Sequence, residues 1–286
     1  MVQIKNDVFC LDISETGAEL TNLSIRGVNI LWKRSSLWNN QSPILFPIVG
    51  QVKDGYYIYN NQSYIIPCHG FIKEQKFNVV NMDSDCIKLS SLYNEATLSM
   101  FPFKYEFSIT YKLMANKLRI TIEVINKDSK AMYFSCGLHP GFSYEGLNQL
   151  FKEQYHIAFS HENVNSVEFT PCLVKSIKEK VIKKTMELSS LSSELMQYKT
   201  LCYQNLSSVE LRSQTKVLRI ENQMPYTAFW QANPTSPLFI CIEPWHGLPD
   251  DESTNHQLID KRGIQKLEEN KTFLTEIEIS YLEVEQ

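Results

Sequence analysis

Three short segments, far apart in the chain, carry residue types suited to moving protons: Cys68-His69-Gly70-Phe71, Gly137-Leu138-His139-Pro140 and Cys241-Ile242-Glu243-Pro244-Trp245. Histidine titrates near neutral pH, and a glutamate accepts a proton from any hydroxyl brought within hydrogen-bond reach. Two imidazoles and one carboxylate therefore form a candidate acid–base set. Glu243 interrupts the otherwise apolar run Phe239-Ile240-Cys241-Ile242, where an idle carboxylate is costly to bury, so a functional role is expected of it. His156, His161, His246 and His256 lack such surroundings and read as surface or structural residues. Asp250, Asp251 and Glu252 read as a solvated loop.

These residues must be positioned by a mostly β framework. From Lys104 to Leu113, Tyr105, Phe107, Ile109, Tyr111 and Leu113 alternate with polar residues, and Leu118, Ile120, Ile122 and Val124 repeat the period of two. The pair predicts an antiparallel hairpin, with Asn116 of Ala115-Asn116 suited to a left-handed turn position. Alternation recurs from Phe273 to Tyr281, and shorter strands are expected around Asp83–Ser91, Tyr155–Ser160, Ser208–Leu211 and Val217–Glu221. One short helix is expected over Leu188–Met196, with a serine as N-cap. The lysine-rich stretch Lys175–Lys184 reads as an exposed strand pair or amphipathic turn. Many strands with Gly, Asn and Pro turns imply packed sheets, and a β-sandwich brings distant strand ends to one face.

Composition bounds the function. A chain of 286 residues, 43% hydrophobic, can bury a large core, and one globular all-β domain over residues 1–286 is expected. A net charge of −4 provides no strong field for nucleic acid or an anionic membrane. The N-terminal stretch does not read as a signal peptide, and no window has the apolar length of a spanning helix, so a soluble protein is expected. Seven scattered cysteines without a CxxC pair read as reduced thiols in the cytoplasm, and no metal or other cofactor is expected. Trp32, Trp38, Phe46, Tyr64, Phe71, Phe142, Trp230 and Trp245 are available for a carbohydrate platform, Trp245 and Phe71 having polar motif neighbours.

The order of GAELTNL, LFPIVG at Leu45–Gly50, IIPCHGF, GLHPGF, FICIEPWHGLPDD and RGIQKL at Arg262–Leu267 resembles the aldose 1-epimerase (galactose mutarotase-like) superfamily, particularly its LacX-like branch. The resemblance covers nearly the whole chain and implies an antiparallel β-supersandwich that interconverts the α and β anomers of an aldose. It implies Glu243 as the base at the C1 hydroxyl, ionised in the productive state. It also implies protonated His139 as the acid at the ring oxygen, with His69 as a second polar contact. Among the substrate-binding positions, Gln51 stands where the family commonly has arginine, Lys73 stands where arginine is frequent, and Lys199 where aspartate is common. These exchanges point to an altered sugar, such as a phosphorylated aldose paired with a lysine. A non-catalytic sugar-binding module on the same fold is the competing reading. A glycosidase needs two flanking carboxylates, and Glu243 has no convincing second.

Overall fold

In the computed structural model, which describes residues 1–284, about half the chain is strand and about 12% is helix. The expected hairpin is its longest uninterrupted pairing. Tyr105–Met114 lies antiparallel to Lys117–Asn126, in register from Tyr105 opposite Asn126 to Met114 opposite Lys117. Burial along Lys117–Asn126 alternates residue by residue, as its hydrophobic pattern requires. Neither Ala115 nor Asn116 takes a positive φ, contrary to expectation. The turn is held from outside instead: the Met114 carbonyl accepts the Asn6 side-chain amide, and the Asn116 carbonyl accepts the Tyr281 N–H.

That hairpin is part of a nine-stranded sheet, counted among the described residues, in which Thr272–Glu283 lies between Lys117–Asn126 and Lys216–Asn222. An eight-stranded sheet opposes it. Its order runs from Leu173–Val181 through Asn163–Thr170, Thr200–Gln204, Tyr226–Trp230, Phe239–His246 and Cys136–Leu138 to Ile44–Leu45, with Gly141–Ser143 also paired to Phe239–His246. Inner faces of the two sheets meet in one buried apolar cluster. Phe159 of the first sheet lies 5.7 Å from Phe229 of the second, and Phe46 lies 5.0 Å from Phe107. The architecture is the expected antiparallel β-sandwich.

Several local expectations change. The strand expected at Asp83–Ser91 is Cys86–Leu92, preceded by an exposed edge strand at Asn78–Met82. The lysine-rich stretch falls mainly in the strand Leu173–Val181, paired with Asn163–Thr170. The helix is longer, Leu188–Tyr198, and its N-cap is Glu187 with no side-chain cap bond rather than a serine. A further helix, Tyr144–Phe151, starts at Ser143, whose hydroxyl accepts the Gly146 N–H. No helix of the described residues is long and apolar enough to cross a membrane.

Candidate active site

The site is built on the outer face of the eight-stranded sheet. Along Phe239–His246, Ile240 and Ile242 point into the main core, so Cys241, Glu243 and Trp245 point the other way. The same parity holds in Tyr226–Trp230, where Phe229 enters the core while Tyr226, Ala228 and Trp230 share the outer face. Glu243 stands opposite Ala228 in register, so a small neighbour leaves room above its carboxylate. Next to this strand, Gly137 pairs with Trp245. A Cβ on Gly137 would stand 2.8 Å from both the Pro244 carbonyl and the Trp245 ring, so only glycine allows the approach. His139 follows two residues later and its N–H donates to the Pro43 carbonyl, fixing the backbone where the imidazole leaves it.

His69 arrives from a tight turn with φ +65, its N–H donating to the Gly50 carbonyl. Gly70 also has a positive φ, and a Cβ there would fall 2.2 Å from the Phe46 carbonyl oxygen, which explains the glycine in the CHGF segment. The third wall is the loop around Trp38 and Asn40. Buried Glu19, within the GAELTNL segment, accepts the N–H groups of Gln41 and Ser42, each at 2.9 Å, and pairs with Arg34. Glu19 escaped the sequence reading as a site residue because its partners lie about twenty positions downstream.

Together these elements enclose a cavity of about 430 Å³ lined by Trp38, Asn40, Gln51, Cys68, His69, Lys73, His139, Cys172, Lys199, Trp230, Glu243 and Trp245, among others. The cavity thus holds seven of the eight residues expected at the site. Phe71 is the correction. It is 1% exposed and packs beside Phe46, Phe101 and Tyr105 in the core, because the chain turns between His69 and Phe71 and sends them to opposite sides. Phe46, Tyr64 and Phe142 are core residues too, leaving Trp38, Trp230 and Trp245 as the indoles at the cavity. Trp38 packs against the His139 ring at 5.1 Å and is stacked on Phe239 at 5.2 Å.

At the cavity floor, His139 Nε2 lies 3.1 Å from Glu243 Oε2, with side chains 10% and 1% exposed. Their alignment is not that of a hydrogen bond. Glu243 Oε2, His139 Nδ1 and Trp245 Nε1 are buried and lack hydrogen-bond partners among the described residues, which costs free energy. Burial pushes the Glu243 carboxyl pKa well up, while the nearby Trp245 N–H pulls it back. Burial, then the neighbouring His69 and Lys73, pushes His139 well down. The protein surroundings alone thus favour carboxylic acid and neutral imidazole over the ion pair that the family resemblance implies for the productive state.

His69 differs from its neighbour. Burial, then Lys73, lowers its pKa to about 3, and its Nδ1 accepts the Gly50 N–H at 3.1 Å. A neutral ring that accepts at Nδ1 carries its proton on Nε2, so His69 is a fixed hydrogen-bond donor. Its ring lies 5.4 Å from that of His139. Donor atoms of His139, Cys241 and Glu243 also lie within 4.8 Å of one another, but burial drives the Cys241 thiol well up, and a protonated thiol is a poor metal ligand.

Asp250 corrects the expectation of a solvated loop. It is buried, accepting Lys261 Nζ at 2.6 Å on one oxygen and the Lys53 N–H at 3.0 Å on the other, and its own N–H donates to the Gln51 carbonyl. This pair ties the segment after Trp245 to the wall that carries Gln51.

Comparison with known proteins places this arrangement. The family model described as aldose 1-epimerase matches residues 1–257. The chain belongs to the aldose 1-epimerase family. It is 26% identical over 282 residues to the chromosomal protein LacX of Lactococcus lactis subsp. lactis, covering 93% of this chain and 94% of that one. A galactose mutarotase related enzyme from Lactobacillus acidophilus superposes with a TM-score of 0.90 at 26% identity, covering 100% of this chain and 99% of the other. A galactose mutarotase-like protein from Lactobacillus casei gives 0.87 at 24% identity, over 98% and 99%, a likeness of fold. Membership in this family supports an isomerase-type enzyme with a mutarotase-like function.

Proposed function

We propose that this chain is a mutarotase that interconverts the α and β anomers of an aldose, favouring one with an anionic substituent such as a phosphate. The observation that carries the reading is the buried pair of Glu243 and His139, 3.1 Å apart among the residues that line a cavity of sugar size. Ring opening removes a proton from the C1 hydroxyl and delivers one to the ring oxygen; closure on the other carbonyl face reverses both. In the reactive form the Glu243 carboxylate takes the first proton and the His139 imidazolium gives the second. After both transfers the pair is carboxylic acid plus neutral imidazole, the form that burial favours. The pocket therefore stabilises the open-chain stage, while hydrogen bonds from the bound sugar favour the charged pair at the start. His69 Nε2–H serves as a donor to the sugar near the reacting carbon, and the indoles offer apolar faces to its C–H surface.

Charge around the cavity supports the substrate class. Lys73 and Lys199 line it, and Glu243 is its single carboxylate among the described residues. An adjoining groove of about 670 Å³ shares Lys199, Thr200, Phe169 and Pro171 and adds Lys175, Lys178 and Lys180, with Glu168 and Glu179 as its acids. The seven unpaired cysteines fit a reducing compartment such as the cytoplasm.

Saturation-transfer NMR of anomer exchange, on neutral aldoses and aldose 6-phosphates, tests the proposal with wild type and Glu243→Gln. Faster exchange that the variant loses supports it. A folded protein that binds an aldose without accelerating exchange is a carbohydrate-binding module and overturns it.

A further inference from the structure

Two thiols stand at the rim of the cavity, and the reaction uses neither. Cys68 directly precedes His69, and Cys172 occupies the two-residue turn Pro171–Cys172 between the strands Asn163–Thr170 and Leu173–Val181. Both line the cavity and both are exposed, unlike Cys136, Cys202 and Cys241, which are buried in the sheets. They come from segments about a hundred residues apart in sequence, so the fold alone brings them together.

Their neighbours bracket a single loop. His69, next to Cys68, donates its N–H to the Gly50 carbonyl, and the adjoining Gln51 carbonyl accepts the Asp250 N–H. Lys261 is bonded to Asp250, and the Asp250 carbonyl accepts the N–H of Val174, two residues past Cys172. The Glu252 N–H returns a bond to the Val174 carbonyl at 2.9 Å. Backbone bonds thus link the turn that carries Cys68, through the Asp250 loop, to the hairpin tip that carries Cys172.

We propose that Cys68 and Cys172 form a dithiol modification site whose oxidation to a disulfide ties the hairpin tip across the cavity mouth and blocks substrate entry. Disulfide geometry requires Cα atoms within about 7 Å, so the bond fixes the tip against the turn that carries His69. With hydrogen peroxide as oxidant, one sulfur attacks the peroxide, leaving a sulfenic acid and releasing water. The second sulfur then displaces the sulfenic oxygen, which departs as a second water. Two thiol hydrogens and two electrons are lost, and one peroxide is reduced to two waters. Burial raises the Cys68 pKa and the Lys73 ammonium beside it acts in the opposite direction. A slow reaction with peroxide is therefore expected.

The test treats dilute native protein with diamide or peroxide and maps the peptides by mass spectrometry without reduction. The expected product is a Cys68–Cys172 cross-linked peptide pair, with native circular dichroism and reversal by dithiothreitol. Acrylamide quenching of the tryptophans, three of whose four indoles line the cavity, should fall on oxidation. It should stay unchanged in Cys172→Ser. Absence of the cross-link in folded, oxidant-treated protein overturns the proposal, and so does a cross-link that leaves quenching as it was. Neither readout depends on anomer exchange, so the outcome is separable from that of the proposed reaction. If exchange is measurable, its loss on oxidation in wild type and retention in Cys68→Ser and Cys172→Ser add a further check.

Discussion

Two buried acid–base pairs draw their carboxylates, Glu243 and Asp250, from one stretch of chain, and they are built in opposite ways. Lys261 and Asp250 meet at 2.6 Å, and the second Asp250 oxygen takes the Lys53 backbone N–H. His139 and Glu243 meet at 3.1 Å without hydrogen-bond alignment and leave polar atoms unpaired. Burial is nearly the same in both pairs, so burial is not what separates a structural pair from a reactive one. The difference is saturation. A pair in which every polar atom has a partner holds loops together. A pair left short of partners can respond to a bound substrate, as the proposed reaction requires.

The largest effect that would sharpen this contrast is on catalysis. Glu243→Gln should reduce the acceleration of anomer exchange by about 10²–10⁴-fold, the usual yield of general acid–base assistance, while the protein stays folded. Retained exchange would break the assignment of roles. Next, Lys261→Met leaves Asp250 buried without its cation and should cost about 3–5 kcal/mol in urea denaturation. The double variant Lys261→Met/Asp250→Asn should recover much of that loss, since an amide oxygen still accepts the Lys53 N–H. If the single variant is neutral, the pair is not the frame it is taken to be.

A smaller effect concerns the sugar. Lys199→Ala should raise KM for an aldose phosphate by about 10–100-fold, the worth of a hydrogen bond to a charged group, and leave a neutral aldose little changed. Equal effects on both substrates would remove the phosphate from the reading.

The smallest effect is a pH slope. The folded-state pKa of Glu243 lies above its ordinary value of 4.5, so its protonated form favours the native state. That contribution is fully present below 4.5 and is lost as pH rises through the folded-state value. His139 is opposite: its depressed pKa favours the native state above 6.5, and that contribution is lost as pH falls toward the folded-state value. Glu243→Gln removes the first slope. Its stability relative to wild type should therefore rise as pH is raised above 4.5, by about 1.4 kcal/mol per unit of pKa displacement. A difference independent of pH would show that the carboxyl is not held protonated by burial.

Sequence and structure agree where the signal is local. The alternation of the hairpin Tyr105–Met114 and Lys117–Asn126 is written in ten consecutive residues on each side. Glu243 was legible for the same reason: a lone carboxylate in an apolar strand is visible without knowing its partners. Asp250 was not. The two residues after it are charged, and its cation lies eleven residues on in another turn, so a solvated loop was the natural expectation. Phe71 failed differently. Its position beside His69 and Gly70 implied a shared site, but two successive positive φ values turn the backbone and send the ring into the core. Glu19 was legible as part of a motif and not as a brace, because the amides it receives belong to another loop.

Glu243 rises from a strand in the middle of a sheet, whereas Gln51, Lys73 and Lys199 sit in a loop, a short 3-10 turn and a helix C-cap. Rearranging the strand would drag Ile240 and Ile242 out of the core with it; rewriting a loop disturbs far less. Under the proposed function, selection in nature or in the laboratory would exchange the sugar by editing the periphery, and a library restricted to those three positions should yield altered specificities at little cost in folding.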